Sequence, residues 1–435
     1  MIYSAVAVAP RAKALAALRW CPLWPALLLL SLLVPTEFSF TLGSLRLTPY
    51  RLVLLVAFVP SLMRLLSGRA GPLSLVDLLI FAHLAWAYVV IGHYHGFGVA
   101  IESGGIRMLE LGGAYLIART YIVGEKEFRG AAAFLFAIAC VLTPLVLLES
   151  ISGVHLIKTL AAKITGQSFV SSIEDRFGLS RAFGPFDHPI LFGVFAASAL
   201  GMVWIRAYPR LGQPHVRQLP KIAVVLSALT SMSSGALAAL ITQFMLLVWD
   251  RKTRHIQSRW KIFCAIGLAM YVCVDLISNR SAMKVFLSYL TFSPGTAYNR
   301  IIIFEWGIQD VWRNPMLGIG FSVWTRPEWM HSTSMDNFWL VQAVTFGIPG
   351  FLTIALPVLL LLSRKWSSLP QRIRRLRTGW VISMIGLILA GCTVHFWNSL
   401  FVYFAFLLGM GAWFVNVRQR RASTQYTAIN GQYEY

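Results

Sequence analysis

Residues 221–249 read KIAVVLSALTSMSSGALAALITQFMLLVW, an apolar run too long for one ordinary membrane helix. A bilayer core needs about 20 helical residues, and the polar sequence from Thr230 to Gly235 interrupts this run at its middle. Serines followed by glycine favour a turn. The run therefore predicts a hairpin of two short helices, each about 14 residues or roughly 21 Å long.

Such short arms would leave the turn below the membrane surface. Irregular backbone at that depth is tolerated where it lines a cavity or is buried in protein. We therefore expect Thr230 to Gly235, including Ser233 and Ser234, to form the floor of a crater that opens outward. A packing contact between helices, made by the same small residues, is the alternative.

The rest of the chain continues this pattern of apolar stretches with basic clusters between them. The stretches lie near 20–37, 50–66, 74–92, 103–120, 130–149, 188–205, 261–278, 337–363, 378–392 and 394–415. Placing the basic clusters in the cytoplasm gives twelve spans with both termini inside. Residues 1–421 then form a single integral membrane domain, and the polar residues 422–435 are expected to be a disordered cytoplasmic tail.

The composition excludes other classes of protein. Of the 435 residues, 57% are hydrophobic and only 13% are charged, which does not describe a water-soluble enzyme. The net charge of +21 is spread over short clusters between apolar runs, so a nucleic-acid groove is not indicated. The sequence predicts an all-α polytopic membrane protein whose surroundings are membrane lipids.

Two outer loops, residues 151–187 and 279–335, are long enough to carry chemistry. The first contains Arg176 and Arg181 beside glycines, and the second contains Arg300 on a predicted surface helix from Tyr298 to Arg313. A guanidinium fork matches phosphate oxygens, so these arginines are candidates for clamping a diphosphate. Contacts with lipid headgroups, or ion pairs with Glu174, Asp175 or Asp187, are the alternative.

A candidate general base lies before the span at 337. Asp336, or His331 on the preceding loop, could take a proton from a sugar hydroxyl. Asp336 could equally be the N-cap of the helix. No metal site or cofactor is predicted, because no Asp-x-Asp sequence occurs. Arg107 and Glu110, three residues apart within a span, are expected to form a structural ion pair.

The order of several motifs resembles the O-antigen ligase and O-antigen polymerase superfamily. The matching residues are Arg181-x-x-Gly184-x-x-x-His188-Pro189, Ser233-Ser234-Gly235, Asn314-Pro315-x-x-Gly318-x-Gly320, Asp336-Asn337, and Gly347-Ile348-Pro349-Gly350. The resemblance covers roughly residues 175–365. It implies a membrane-embedded, metal-independent inverting glycosyltransferase in the bacterial inner membrane. Its donor would be an undecaprenyl-diphosphate-linked oligosaccharide at the periplasmic face.

Carried onto matching positions, the resemblance gives the diphosphate to Arg181 and Arg300, with His188 and Asn337 in the crater. The chain departs from the family pattern twice. Asp336-Asn337 stands where many members have His-Asn, and Ser234 stands where many have an arginine. The first departure resembles members that make exopolysaccharides, and it leaves Asp336 or His331 as the base.

Three functions remain compatible with these residues. The first is a polymerase that extends an exopolysaccharide or O-antigen-like chain, with a chain-length-regulating copolymerase and a flippase as partners. The second is a ligase that transfers finished glycan to lipid A core or to protein. The third is a transporter of lipid-linked oligosaccharide, although transporters commonly show repeated halves and this sequence has none.

Overall fold

A computed structural model gives the fold and describes residues 18–167, 169, 171, 173–205, 218–289, 294–330, 332–363 and 369–430. Nearly all regular structure in these residues is helical. The helices are α1 (Leu23–Ser31), α2 (Pro49–Leu66), α3 (Leu75–Arg107), α4 (Ala114–Tyr121), α5 (Glu125–Ser152), α6 (Leu156–Thr165), α7 (Pro189–Ser198), α8 (Leu200–Trp204), α9 (Leu219–Thr230), α10 (Ser234–Lys252), α11 (Arg259–Ile277), α12 (Ala282–Tyr289), α13 (Pro294–Arg313), α14 (Phe338–Ser363), α15 (Gln371–Gly391) and α16 (Asn398–Asn430). A short antiparallel pair, β1 (Phe40–Leu42) and β2 (Leu45–Leu47), precedes α2.

Six helical segments in the described part of the chain are long and apolar enough to cross a membrane. They are Pro49–Leu66, Leu75–Tyr121, Glu125–Ser152, Arg259–Ile277, Phe338–Ser363 and Asn398–Val415. The sequence predicted twelve spans, a number that stays a prediction. The stretches 74–92 and 103–120 fall together in Leu75–Tyr121, where two helices join across non-helical backbone at Gly96, and Pro189–Trp204 and Leu219–Thr230 are apolar but short.

The predicted hairpin is present as α9 and α10. Helix α9 has 12 residues, or about 18 Å at the helical rise. Helix α10 has 19 residues, or about 28 Å, because it continues through Trp249 to Lys252. The second arm is therefore longer than expected. The turn between the arms, residues 231–233, contains Met232 in the left-handed region at φ 44°.

Helix α16 forms the centre of the bundle. Its residues 399–415 are buried on every side, as expected for a helix that is apolar all round. Glycines allow its neighbours to come close: Gly409 lies against the backbone of Tyr115 in α4, and Gly411 lies against the Trp380 ring in α15. Past the core, α16 continues to Asn430, into the segment whose composition predicted a disordered tail.

Helix α14 is broken at Gly347, and the loop after α13 fills the break. Gly347 has φ 70° and ψ −178°, which interrupts the helical hydrogen bonding. Three backbone hydrogen bonds join loop and helix: Ile319 N to Val344 O (2.8 Å), Gly320 N to Thr345 O (3.0 Å) and Ile348 N to Pro315 O (2.7 Å). The polar groups freed by the break are thus satisfied within the protein.

Gly347→Ala should destabilise the protein strongly. A Cβ at this position would collide with the carbonyl of Met316, and a left-handed φ alone costs a non-glycine residue roughly 1–2 kcal/mol. The matched control is Gly267→Ala on α11, where no other atom lies within 4 Å of the new Cβ. Its expected effect is a gain of up to about 1 kcal/mol from helix propensity. Thermal unfolding of both variants in detergent checks the prediction, and equal Tm values would contradict it.

Candidate functional site

The turn of the α9–α10 hairpin lies at the centre of the candidate site. Ser231, Ser233 and Ser234 are all buried. Helix α7 packs directly on the turn, because a methyl group added at Gly193 would collide with Ser231. The turn is therefore a piece of polar backbone enclosed among helices, where its carbonyl and hydroxyl groups need hydrogen-bond partners.

Three arginines from the two long loops donate hydrogen bonds to this turn. The donors and acceptors are Arg176 Nη1 to Met232 O (2.7 Å), Arg181 Nε to Ser231 O (3.1 Å) and Arg300 Nη1 to the Ser234 hydroxyl (3.3 Å). The sequence suggested these arginines as a group, and the structure brings them to three residues within the short segment 231–234. Asp187, suggested as an alternative partner, forms its ion pair with Lys158 at 3.4 Å.

One guanidinium nitrogen in each of Arg181 and Arg300 has no hydrogen-bond partner among the described residues. Arg181 Nη2, Arg300 Nε and the Ser233 hydroxyl are buried and make no hydrogen bond within the described residues. Buried polar groups without partners are costly, and those that persist in a folded protein commonly mark a place where a ligand binds. Three such groups around one turn indicate a site for a hydrogen-bond acceptor.

The electrostatics of the site favour an anion. Burial, and then the charge of Arg176, lower the pKa of Arg181 to about 10. Burial also lowers the pKa of Arg300, which the nearby Asp336 opposes and Arg176 reinforces. Guanidinium groups remain charged at neutral pH despite such shifts. Three positive charges therefore face one carboxylate, and an anionic ligand would relieve their repulsion.

Asp336 is available for chemistry because its neighbour caps the helix. The Asn337 side-chain oxygen accepts a hydrogen bond from Leu340 N at 3.0 Å, so the capping role that was the alternative for Asp336 belongs to Asn337. Burial raises the pKa of Asp336, and Arg300 partly offsets this rise. No hydrogen bond to its carboxylate occurs among the described residues, and His331, the other candidate base, lies outside them.

His188 is neutral and begins α7. Its Nδ1 accepts a hydrogen bond from Ile190 N at 3.1 Å, which caps the helix and leaves the proton on Nε2. Burial lowers the pKa of His188 to about 4, with further contributions from Arg181 and Arg176. Its ring lies 6.1 Å from the Trp397 ring. His188 is thus a fixed, uncharged donor beside the arginines.

The loop that carries Arg181 is held by Glu149, which the sequence analysis did not single out. The Glu149 carboxylate accepts hydrogen bonds from Phe183 N (2.7 Å) and Gly184 N (3.2 Å) and pairs with His155 at 2.7 Å. On the other side of Arg181, Ala182 N donates to Thr230 O at 3.0 Å. A carboxylate near the end of an apolar helix, just before a functional loop, is the signal that could have identified it.

A cavity of about 380 Å³ has Trp397, the ring next to His188, in its wall. Arg107, Glu110, Gln342, His395 and the rings of Phe346 and Phe401 are among its other lining residues. Arg107 donates from Nε to His83 (3.2 Å) and from Nη2 to Gln342. Its guanidinium carbon lies 4.3 Å from the centre of the Phe346 ring. Burial, and then Arg107, lower the pKa of His395 to about 4.

The expected pair between Arg107 and Glu110 is wrong. Glu110 instead pairs with Arg51 of α2 at 2.8 Å and accepts a hydrogen bond from Tyr50 at 3.1 Å. Residues Met108–Gly113 form a π-helical segment, whose wider turn changes the i, i+3 geometry that the expectation assumed. Arg107 and Glu110 still line the same cavity, but Arg51 is the cation within ion-pair distance of Glu110.

An apolar groove of about 570 Å³ begins beside Asn337. It lies between α13, α14 and α15 and is lined almost entirely by apolar side chains, among them Phe304, Ile308, Leu340, Phe351 and Ile388. Close packing fixes its walls, since Gly307 of α13 lies against Leu340 of α14. The groove leads from the residue next to Asp336 along the broken helix.

Metal-ligand side chains do not cluster in the described part of the chain. No three His, Cys, Asp or Glu side chains come together there as a metal ion would need. The charged centre of the site consists of the guanidinium groups and Asp336.

Inorganic diphosphate should stabilise the protein by binding at the turn. At 100 times its Kd a ligand adds about 2.7 kcal/mol to the stability of the folded state, which thermal unfolding in detergent would show as a higher Tm. Arg181→Gln and Arg300→Gln should lose the effect. Arg313→Gln, an exposed residue on the same helix as Arg300, should keep it. A rise of equal size in all four proteins would contradict the assignment.

Comparison with known proteins gives no guide to the function of this site. No protein-family model matches the chain, and no curated protein matches it.

Proposed function

We propose that the protein is a polysaccharide polymerase of the bacterial inner membrane, with twelve spans and both termini in the cytoplasm. It transfers a glycan from an undecaprenyl-diphosphate-linked donor to a sugar hydroxyl at the periplasmic face, with inversion and without a metal ion. The observation that carries this proposal is the convergence of Arg176, Arg181 and Arg300 on one buried turn, where Arg181 Nη2 and Arg300 Nε have no hydrogen-bond partner among the described residues.

The arginines bind the diphosphate of the donor. Arg181 Nη2, Arg300 Nε and the Ser233 hydroxyl donate to its oxygens, and the Nε2 proton of His188 is a further donor. As the bond between the anomeric carbon and the diphosphate oxygen breaks, the electron pair leaves on the diphosphate. Fixed positive charge in a water-poor site stabilises this developing charge.

Asp336 removes the proton from the acceptor. The acceptor oxygen forms a new bond to the anomeric carbon on the face opposite the diphosphate, which inverts the configuration. The Asp336 carboxylate takes the hydroxyl proton, and its raised pKa makes it a better base than an exposed aspartate. Because Asn337 caps α14, this role does not compete with helix formation.

The two neighbouring cavities accommodate the remaining parts of the substrates. The apolar groove beside Asn337 receives the isoprenoid chain of the donor, since nothing in it needs to be hydrated. The cavity lined by Trp397 and Arg107 receives the acceptor sugar. Aromatic rings pack on the apolar faces of sugars, and Arg107 and Gln342 offer hydrogen bonds to hydroxyl groups.

The orientation of the site is inferred from the length of α10 together with the basic residues at its end. The helix runs about 28 Å from Ser234 at the site to Lys252, and hydrocarbon is about 30 Å thick. The basic residues at its far end are expected in the cytoplasm by the positive-inside rule. The arginine site then faces the periplasm.

Purified protein supplied only with lipid-linked repeat units should produce a ladder of longer lipid-linked glycans. Arg181→Ala and Arg300→Ala should reduce this activity by about 10²- to 10³-fold, the usual effect of removing one charge-stabilising donor. Arg313→Ala should retain it. A ligase would give no ladder and would transfer glycan only after addition of core lipid, and a transporter would move donor across liposomes regardless of Arg181; either result would refute the polymerase.

Asp336→Asn should abolish polymer formation while leaving Tm unchanged, because Asn337 and not Asp336 caps α14. Ser334→Ala, an exposed neighbour, is the control and should remain active. The base must be ionised, so activity is present at high pH and is lost as the pH falls through the pKa of Asp336. Burial raises this pKa, so the loss should begin above the value of about 3.9 of a free aspartate.

Arg300→Gln sharpens this pH test. Removing the cation that lowers the pKa of Asp336 should move the acid limb of the residual activity to higher pH. An unchanged acid limb in this variant, or full activity in Asp336→Asn, would exclude Asp336 as the base.

A further inference from the structure

A second positively charged site lies at the opposite end of α10 from the turn. A cavity of about 630 Å³ lies between the end of α10, the start of α11 and the start of α15. Arginines from α11, from α15 and from the connection between α10 and α11 line it, namely Arg254, Arg259, Arg374, Arg375 and Arg377. A smaller cavity of about 340 Å³ adjoins it and shares Arg254 and Arg375. None of these residues takes part in the proposed glycosyl transfer.

The positive charge of this cavity greatly exceeds its negative charge. Asp250 is the acidic residue that lines it, and its carboxylate is already bound by Arg259 at 2.8 Å and Arg254 at 3.4 Å. Arg374 and Arg375 make no ion pair within the described residues. Segments 206–217 and 364–368, which lie outside them, contain no Asp or Glu in the sequence.

The cavity also has an unpaired buried donor. Arg259 Nε makes no hydrogen bond among the described residues, although Nη2 of the same side chain binds Asp250. Arginine forks with free N–H groups suit the oxygens of a phosphate. Trp260, at the edge of the cavity, is a residue type that favours the boundary between membrane and water.

Helix α11 indicates that the phosphate belongs to a lipid. This helix begins at Arg259 in the cavity wall, is long and apolar enough to cross a membrane, and buries none of its residues. Apolar side chains such as Ile262 and Ile266 are exposed directly beyond Trp260. A phospholipid with its headgroup in the cavity would lay its acyl chains along this surface.

We propose that this cavity binds the phosphate headgroup of an anionic membrane phospholipid. The arginines of α15 and α11 hold the phosphate, and α11 packs against the acyl chains. Basic pockets between membrane helices on the cytoplasmic side are a recognised mode of anionic lipid binding. The site is independent of the glycosyltransferase proposal, because it involves different residues at the other end of the bundle.

Native mass spectrometry of the purified full-length protein tests this site. The probes are phosphatidylglycerol, phosphatidylcholine with the same acyl chains, and inorganic phosphate. Phosphatidylglycerol should bind in preference to phosphatidylcholine. The double variant Arg374→Gln, Arg375→Gln should bind it about 30-fold more weakly, at about fivefold for each charge removed near the membrane surface.

Arg372→Gln is the matched control, because Arg372 is exposed on the same helix, does not line the cavity and pairs with Glu125. It should bind phosphatidylglycerol as the wild type does. Thermal unfolding of each variant without added lipid establishes that it is folded. Equal binding of the two lipids, equal loss in Arg372→Gln, or displacement of phosphatidylglycerol by millimolar inorganic phosphate would overturn the proposal, the last by showing a free-phosphate site.

Discussion

The anchoring of three guanidinium groups to one buried turn is the interaction on which the rest of the site depends. Like charges this close repel one another, and the repulsion is strong where water is scarce. Carbonyl and hydroxyl oxygens of residues 231–234 hold the arginines in place without neutralising them. The remaining charge is therefore built into the fold, and it selects an anionic ligand before any contact with a sugar is made.

Residues around the turn make the structural hydrogen bonds that would otherwise occupy the candidate functional groups. Glu149 holds the loop around Arg181 by its backbone, so the arginine side chain is not needed to fix the loop. Asn337 caps α14, so the Asp336 carboxylate is not consumed by the helix end. His188 caps α7 with one ring nitrogen and keeps a proton on the other. Loop anchoring and helix capping therefore leave the Arg181 side chain, the Asp336 carboxylate and His188 Nε2 available to a ligand.

Local signals in the sequence were enough to predict the hairpin and to single out the arginines. The run from Thr230 to Gly235 breaks an apolar stretch, and the arginines are cations in long loops next to glycines. The partners of Arg107 and Glu110 could not be predicted, because they depend on tertiary contacts that residue spacing in the sequence does not show. The Arg107 side chain binds His83 and Gln342, residues from different helices, and Glu110 pairs with Arg51 of α2. The count of twelve spans stays a prediction, because apolar stretches alone do not show where a helix bends or stops short, and six helical segments in the described residues are long and apolar enough to cross a membrane.

The break in α14 at Gly347, whose backbone groups are hydrogen-bonded by the preceding loop, has a consequence for insertion of the protein into the membrane. A helix interrupted at Gly347 would expose bare amide and carbonyl groups to lipid if it left the translocon alone. The segment that covers them, Pro315 to Gly320, precedes α14 in the chain and so emerges first from the ribosome. This loop is thus already synthesised when α14 leaves the ribosome. Biogenesis would suffer if a circular permutation reversed that order, even with every native contact retained in the finished molecule.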